Sequence, residues 1–258
     1  MILHIPHASD NIPFADGFID DDKIIQAEIV KLTDWHTQEL FHSANDNMIV
    51  ADFSRIFCDP ERFADDEQEI MSKVGMGVLY ERTDDGMLLR SLTSDLREKI
   101  LSEYYWPHHA KLNEAVEKEL SLFGTALILD CHSFSNTPFK RDLVQKADRP
   151  DFNIGTDAFH TSEDLINTSV KYFEARGFTL GLDWPYQGTI VPMGYYGKDK
   201  NVQSIMLEVN RSLYLKDETN QKNEQFEETK AVVQGYMRMI TKEFSRLALV
   251  CTMTAQQL

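Results

Sequence analysis

The sequence predicts an α/β fold, because short apolar runs alternate along the chain with longer segments of helical periodicity. Three of the apolar runs, at residues 2–6, 127–130 and 203–209, have the length of buried strands. Each run contains or precedes polar residues that are capable of acid–base or metal chemistry. Ligands of open α/β sheets bind at the carboxyl ends of the strands. We therefore expect these three strand ends to meet at one hydrolytic site, built around a metal ion.

The remaining elements follow from the same patterns, read in chain order. The first half predicts a strand at 2–6, a helix from about 22 to 43, a strand at 48–52, a surface excursion at 65–85 and a helix at 92–122. The second half predicts a strand at 127–130, an irregular loop at 134–161, a helix at 162–176, strands at 178–182 and 203–209, and a closing helix at 218–249. No repeat or linker divides these elements, so we expect one domain that spans residues 1–258.

Composition and charge narrow the classes of function. The 258 residues carry a net charge of -16, which argues against nucleic acid or an anionic membrane as a general partner. No apolar run is long enough to span a membrane, and the chain opens on strand-like residues rather than a secretory signal. Its cysteines, Cys58, Cys131 and Cys251, lie far apart and form no CxxC pair. These features predict a protein of a reducing cytoplasm.

The candidate metal ligands are His7, Asp34 and His132. A catalytic zinc ion typically takes three protein ligands from His, Asp and Glu and leaves a position for water. Any one of these residues alone is also typical of an ordinary loop or helix surface. His36 lies two residues after Asp34, and the two would point to different faces of a helix. The sequence leaves open which of them is the middle ligand.

Glu208 is the candidate general base. It ends a run that is otherwise apolar, and burying a carboxylate is costly unless it is paired or protonated. It is therefore expected either to be functional or to form an internal ion pair with Arg211. As a base it would take a proton from metal-bound water and deliver that proton to the leaving amine.

Arginines supply the candidate clamps for a substrate carboxylate. The planar guanidinium of arginine binds a carboxylate through two parallel hydrogen bonds, and Arg55, Arg62 and Arg211 are the candidates. For Arg62 a surface ion pair with Asp59 or Glu61 is an equal alternative. His109 follows an aromatic segment and could assist catalysis or bind substrate.

Taken together, these residues resemble the N-formylglutamate amidohydrolase family. The matching segments extend through most of the chain, in order: residues 6–9, 34–36, 55–63, 105–112, 130–133, 155–157, 185–188 and 207–214. Tyr186 and Asn210 belong to these segments and join the expected substrate-binding set. One departure is Asp183, at a position where the family favours Asn, and a carboxylate there could change how an anionic substrate is received.

The resemblance implies a phosphorylase/hydrolase-like fold, a mixed sheet flanked by helices. It also implies hydrolysis of a small anionic N-acyl amino acid, with N-formyl-L-glutamate giving formate and glutamate in histidine breakdown. More distantly, the pattern is similar to zinc-dependent amidases of the same fold. That similarity assigns zinc to His7, Asp34 and His132, and the role of base to Glu208.

Two other hypotheses remain open at this stage. Cys131 could be the nucleophile of a cysteine-dependent amidase, although it follows an apolar run and could be a small core residue. Ser133 lacks the flanking glycines of a nucleophile elbow, which argues against a serine hydrolase. The chain could also be a binding protein without turnover, because a fold does not determine a function.

Overall fold

One six-stranded sheet forms the centre of the molecule. The computed structural model describes residues 1–216 and 219–255, with side chains as far as residue 247. The strands are β1 (Ile2–Ile5), β2 (Asn47–Val50), β3 (Ala126–Phe134), β4 (Phe152–Gly155), β5 (Leu180–Leu182) and β6 (Val202–Asn210). They lie in the order β2-β1-β3-β6-β4-β5.

The three strands predicted to carry the site are neighbours in this sheet. β1 pairs with β3 and β3 pairs with β6, both in parallel, so their carboxyl ends lie at the same edge. β4 runs antiparallel to β6 and parallel to β5. The predicted α/β class, with a mixed sheet flanked by helices, is therefore confirmed.

Helices cover both faces of the sheet. They are α1 (Asp22–Leu32), α2 (Thr37–Leu40), α3 (Ser94–Ile100), α4 (Trp106–Phe123), α5 (Glu163–Glu174) and α6 (Phe226–Ala255). On one face, Leu127 and Leu129 of β3 pack with Phe173 of α5 and Tyr236 of α6. On the other, the alternate residue Ile128 packs with Leu112 of α4. This alternation follows from the two-residue period of a strand. Among the described residues, no helix combines the length and apolar character needed to cross a bilayer.

Three predicted elements differ from the structure. The first helix ends at Leu32, not near residue 43, because Thr33 is extended and the Asp34 N–H donates to the His7 carbonyl at 2.9 Å. The predicted loop at 134–161 contains β4, a fully buried strand too short to stand out in the sequence. The closing helix begins at Phe226, and its predicted first residue, at position 218, lies outside the described residues.

The helix predicted at 92–122 is interrupted before Trp106 by a π-turn. Residues Leu101–Tyr105 form this turn between α3 and α4. Pro107 stands in the first turn of α4 and has no N–H to donate to the preceding turn. The wider turn accommodates the proline ring and keeps the chain helical. A proline is a common cause of such bulges.

Candidate active site

A cavity of about 410 Å³ opens at the carboxyl ends of β1, β3 and β6. Its volume is ordinary for a small-molecule site. Residues at its floor come from the loop after β1, the end of β3 and the end of β6, as the sheet topology requires. Residues 60–63, the irregular loop after β3 and the segment 186–196 form its walls. The cavity therefore lies where ligands bind in open α/β sheets.

His7, Asp34 and His132 converge at the floor of this cavity. Their potential ligand atoms lie within 4.8 Å of one another, and all three side chains are buried. Asp34 Oδ2 lies 3.3 Å from His132 Nδ1 and 3.8 Å from His7 Nδ1. The buried His7 Nδ1 has no hydrogen-bond partner within the described residues. Two imidazole nitrogens and one carboxylate are a typical donor set for a catalytic zinc ion, so the residues present fit such an ion.

Asp34 is held in place from three directions. Its N–H donates to the His7 carbonyl, and its Oδ2 accepts from the Ser133 N–H at 3.1 Å. Its Oδ1 accepts from Arg211 Nη2 at 2.9 Å. Burial opposes ionisation, but the hydrogen bond with His132 and the charge of Arg211 lower the pKa of Asp34 to about 2. Asp34 is therefore a carboxylate at neutral pH.

Carboxylates orient the imidazole rings of His7 and His132 through contacts with the Nε2 atom of each ring. His7 Nε2 donates to Asp59 Oδ1 at 2.8 Å. His132 Nε2 lies 3.1 Å from Asp130 Oδ1 and 3.2 Å from Glu61 Oε2. Each ring thereby turns its Nδ1 toward Asp34. Carboxylate–histidine pairs of this kind fix the ring orientation and raise the basicity of metal ligands.

His4 and His108 extend this polar network away from the cavity. His4 Nδ1 donates to Asp130 at 2.8 Å and lies 3.3 Å from Glu61 Oε1. Although burial opposes it, hydrogen bonds to Asp130 and Glu61 raise the pKa of His4 to about 9. Burial lowers the pKa of His108 to about 2, so its Nε2 accepts from His4 Nε2 at 2.9 Å. His4 thus fixes the two carboxylates that face His132.

His36 lies outside the cluster. It precedes α2 in the left-handed conformation, with φ of 62°, and its Nε2 lies 2.8 Å from the Asn220 carbonyl oxygen. Of the two alternatives for the middle ligand, the structure brings Asp34 to His7 and His132.

Glu208 stands beside the cluster on the neighbouring strand. It pairs in register with His132, so both side chains project from the same face of the sheet. It lines the cavity while only 6% exposed, and its Oε2 has no hydrogen-bond partner among the described residues. Burial raises its pKa to about 8; His132 opposes this shift and Asp34 adds to it. A carboxyl group with such a pKa exchanges protons near neutral pH.

The three predicted arginines all line the cavity but differ in their partners. Arg55 donates to Asp59 Oδ2 at 3.0 Å, and Arg211 donates to Asp34 and to the Lys31 carbonyl at 2.7 Å. Arg62 Nε forms the expected ion pair with Asp59 Oδ2 at 3.7 Å, which is too far for a hydrogen bond, and this buried nitrogen has no hydrogen-bond partner in the described part of the chain. Arg62 therefore keeps donor capacity for a ligand.

The other predicted site residues divide between cavity and scaffold. Tyr186 lines the cavity, and its hydroxyl donates to Asp142 at 3.0 Å. His109 also lines it, with a buried Nε2 that has no partner in the described chain; burial lowers its pKa to about 4. Asn210 lies outside the lining because its amide donates to the Pro150 carbonyl at 2.9 Å and its Oδ1 accepts from the Ser212 N–H.

Asp183 is turned away from the cavity. Its two carboxylate oxygens accept from the N–H and hydroxyl of Thr156, both at 2.7 Å. The residue is exposed, lies in the left-handed region with φ of 52°, and is absent from the cavity lining. The expectation that its carboxylate would affect an anionic substrate is therefore wrong for direct contact; it ties the end of β5 to the end of β4.

The comparisons with known proteins bear on this arrangement. The sequence model of one family, described as N-formylglutamate amidohydrolase, matches residues 1–215. The chain belongs to the N-formylglutamate amidohydrolase family. Membership supports an amidohydrolase activity for the chain. No match was found among curated proteins.

Two solved structures share the fold of this chain. One is the N-formylglutamate amidohydrolase from Ralstonia eutropha JMP134, with a TM-score of 0.79 and 23% identity over 96% of this chain and 92% of that one. The other is a gene product from Agrobacterium tumefaciens, with a TM-score of 0.60 and 14% identity over 95% of this chain and 90% of that one. At these identities the likeness shows the fold alone.

The cysteine alternative has no support in this member of the family. Cys131 is fully buried in the core on the face of β3 opposite His132, and its thiol lies 3.2 Å from the Leu129 carbonyl oxygen. Burial raises its pKa, which disfavours the thiolate. Cys58 is also buried, and the side chain of Cys251 lies outside the described side chains.

Sequence reasoning missed two contributors to the site. Asp59 and Glu61 entered only as partners for Arg62, yet they contact His7 and His132. The sequence does contain a local sign of a polar site, because two acids two residues apart, with a proline between them, stand near two arginines. The sequence does not show which distant histidines these acids contact.

Proposed function

We propose that this chain is a zinc-dependent amidohydrolase that cleaves the amide bond of a small N-acyl amino acid, with Glu208 as general base. The observation that carries the proposal is the convergence of His7, Asp34 and His132 beside Glu208. His7 Nδ1 and Glu208 Oε2 are buried polar atoms without a hydrogen-bond partner among the described residues, and such atoms are costly unless a ligand completes them.

His7, Asp34 and His132 would hold the ion. When bound there, zinc supplies Lewis-acid chemistry, which polarises an amide carbonyl and acidifies water. Asp34 contributes one negative charge to the donor set, and its fixed hydrogen bonds to Ser133 and Arg211 keep that charge in position. Asp59 and Asp130 hold the two imidazoles in the tautomer that presents Nδ1.

Glu208 would move the proton. Its carboxylate takes a proton from the attacking water and passes it to the leaving nitrogen, which a group with a pKa near neutrality does efficiently. His109 also faces the cavity and, being neutral, could hydrogen-bond the substrate.

The substrate would be anchored through its α-carboxylate. Arg62 Nε is a buried donor without a hydrogen-bond partner in the described residues, while Arg55 and Arg211 supply positive charge beside it. Tyr186 contributes to the wall, and we assign Asn210 to the scaffold because its amide is already hydrogen-bonded. N-formyl-L-glutamate, which the family description names, is the first substrate to test.

The deciding experiment measures metal content together with hydrolysis. We expect about one zinc ion per chain in the purified protein, lost in His132→Ala and retained in His36→Ala, a histidine outside the cluster. Glu208→Gln should keep its zinc and lose hydrolysis of N-formyl amino acids. Hydrolysis that survives in zinc-loaded Glu208→Gln would refute the proposed base. Failure of the wild-type protein to bind zinc would refute the proposed metal site.

A further inference from the structure

We propose that Arg141 receives the side-chain carboxylate of a dicarboxylic N-acyl amino acid and thereby distinguishes this substrate from one with a neutral side chain. The inference rests on the proposed amidohydrolase function and assigns a specificity-determining residue within the same site. Arg141 is absent from the arginines predicted from the sequence, because its place in the cavity depends on the path of a long loop.

Arg141 reaches the cavity from the loop that follows β3. Phe139, Arg141 and Asp142 of this loop line the cavity, and Arg141 is partly buried there. The end of β3 also carries His132 of the candidate metal cluster. The loop therefore rises from the floor of the cavity, and its lining residues border the space into which a substrate bound at that floor would extend.

Contacts with residues 84–86 hold Arg141 in one orientation. Its backbone N–H donates to Asp84 Oδ1 at 2.9 Å, and its Nε donates to the Asp84 carbonyl at 3.1 Å. A Cβ atom at position 86 would stand 2.1 Å from Arg141 Nη2, so Gly86 leaves the room that the guanidinium occupies. A side chain that is already ordered loses less conformational entropy when it binds a ligand. Arg141 is thus preorganised, and its Nη1 and Nη2 have no hydrogen-bond partner among the described residues.

Arg141 differs from the other arginines of the lining in its charge partners. Arg55 and Arg62 pair with Asp59 at 3.0 and 3.7 Å, and Arg211 pairs with Asp34 at 2.9 Å. Within the described residues, the Arg141 guanidinium forms no ion pair with a carboxylate, and its one side-chain hydrogen bond is to a backbone carbonyl. A guanidinium binds a carboxylate through two parallel hydrogen bonds. An anionic group of the substrate would therefore supply the partner that the chain itself does not provide.

The acids in the walls of the cavity do not exclude a second substrate carboxylate, because each already has a basic partner. The pairs are Asp84 with Lys31 at 3.3 Å, Asp142 with Arg149 at 2.6 Å, and Glu61 with His132 at 3.2 Å. Asp84 also accepts from two backbone N–H groups of the loop, which spreads its charge further. The positive charge of Arg141 is therefore left to attract an anionic ligand. With the α-carboxylate assigned to Arg62, Arg141 is available for the carboxylate of the side chain.

The test compares N-formyl-L-glutamate with N-formyl-L-glutamine, which have side chains of the same length and differ in the terminal charge. With zinc-loaded wild-type protein, we expect kcat/KM for the glutamate derivative to exceed that for the glutamine derivative by about 10- to 100-fold. Arg141→Met keeps an unbranched side chain and removes the guanidinium, so it should lower this ratio by about the same factor. An unchanged ratio in a folded Arg141→Met protein would overturn the inference. Where Arg141→Met does not fold, Arg141→Lys decides: it keeps the charge without the planar fork and should lower the ratio about three- to tenfold, and an unchanged ratio would overturn the inference.

Two further variants separate direct contact from a general effect of charge. Lys140 precedes Arg141 in the same loop, but its side chain is 73% exposed, pairs with Asp85 and lies outside the lining. Lys140→Met removes the same charge and should leave the ratio within about twofold of wild type. Arg62→Ala should lower kcat/KM for both derivatives and leave their ratio unchanged, because both carry the α-carboxylate. A ratio that falls equally in Lys140→Met and Arg141→Met, or that falls in Arg62→Ala alone, would overturn the inference.

Failure of the inference is distinguishable from failure of the proposed function. Equal hydrolysis of the two derivatives by the wild-type protein would overturn the inference and leave the amidohydrolase function standing. Absence of hydrolysis for both derivatives would refute the function. In that case calorimetric Kd values for the same two derivatives still decide the role of Arg141. Tighter binding of the glutamate derivative that is lost in Arg141→Met supports the role, and equal Kd values, or a preference that survives the substitution, overturn it.

Discussion

Replacement of Asp59 by Asn tests whether the buried carboxylates tune the candidate metal site. Asp59 is fully buried and accepts from His7 Nε2 at 2.8 Å, from the Glu61 N–H at 3.0 Å, from Arg55 Nη2 at 3.0 Å and from the Tyr80 hydroxyl at 2.7 Å. Asn preserves the shape but removes the charge. Its amide group must also face at least one of these four donors.

The expected effect on metal binding follows from the loss of the His7 contact. Removing a carboxylate that orients a ligating histidine typically weakens metal affinity about 10- to 100-fold. This corresponds to roughly 1.4 to 2.8 kcal/mol at 25 °C. Stability should fall as well, by about 3 to 5 kcal/mol, because Arg55 loses a buried anionic partner.

The assay is competition for zinc against a chromophoric chelator at neutral pH, with folding checked by circular dichroism. Asp142→Asn is the matched control, since Asp142 likewise accepts from an arginine, Arg149, and from a tyrosine, Tyr186, without touching a histidine of the cluster. We expect its zinc Kd to stay within about twofold of wild type. A folded Asp59→Asn protein with wild-type zinc affinity would show that Asp59 does not tune the site.

Three further predictions follow from the polar network and the core. The pKa of His4 is raised to about 9 from an ordinary 6.5. Protonated His4 therefore stabilises the metal-free protein below pH 6.5 by up to roughly 3 kcal/mol, and this contribution is lost as the pH rises through 9. Between pH 6 and pH 9.5, the free energy of unfolding measured in urea should fall further in wild type than in His4→Gln; equal decreases would contradict the assignment. Arg62→Ala should raise KM for an N-formyl amino acid about 10- to 100-fold with a smaller change in kcat, and steady-state kinetics that show only a kcat effect would place Arg62 elsewhere in the reaction. Cys131→Ala should retain most of its hydrolytic activity and lose about 1 to 2 kcal/mol of stability through the cavity it leaves; abolished turnover in a folded variant would revive the cysteine mechanism.

The sequence was sufficient to predict the sheet class and the edge at which the site lies. An apolar run that ends in polar residues, such as the one that leads to His132, indicates both a buried strand and the end of that strand at which a site lies. The family resemblance then added the choice of ligands and the substrate class. The structure agrees with the placement of His7, Asp34, His132 and Glu208 around one cavity, while their chemical roles stay predictions.

Other features depended on tertiary contacts that no local pattern reports. β4 has four residues and lies inside a long polar loop, so its pairing with β6 decides its conformation rather than its own propensity. The end of α1 is set by the hydrogen bond between Asp34 and His7, residues from different elements. Asn210 looked like a substrate ligand because its neighbours belong to the family pattern, but the nearby Pro150 carbonyl takes its amide.

The position of β6 links completion of the fold to completion of the site. β6 is the last strand along the described chain, yet it lies between β3 and β4 in the middle of the sheet. Until it inserts, β3 and β4 each present an unpaired edge, and such edges invite association with other chains. The same insertion delivers Glu208 and places Arg211 against Asp34. A partly folded chain that lacks β6 would therefore be prone to aggregation and would lack two side chains of the candidate site, so only the fully assembled sheet carries the complete site.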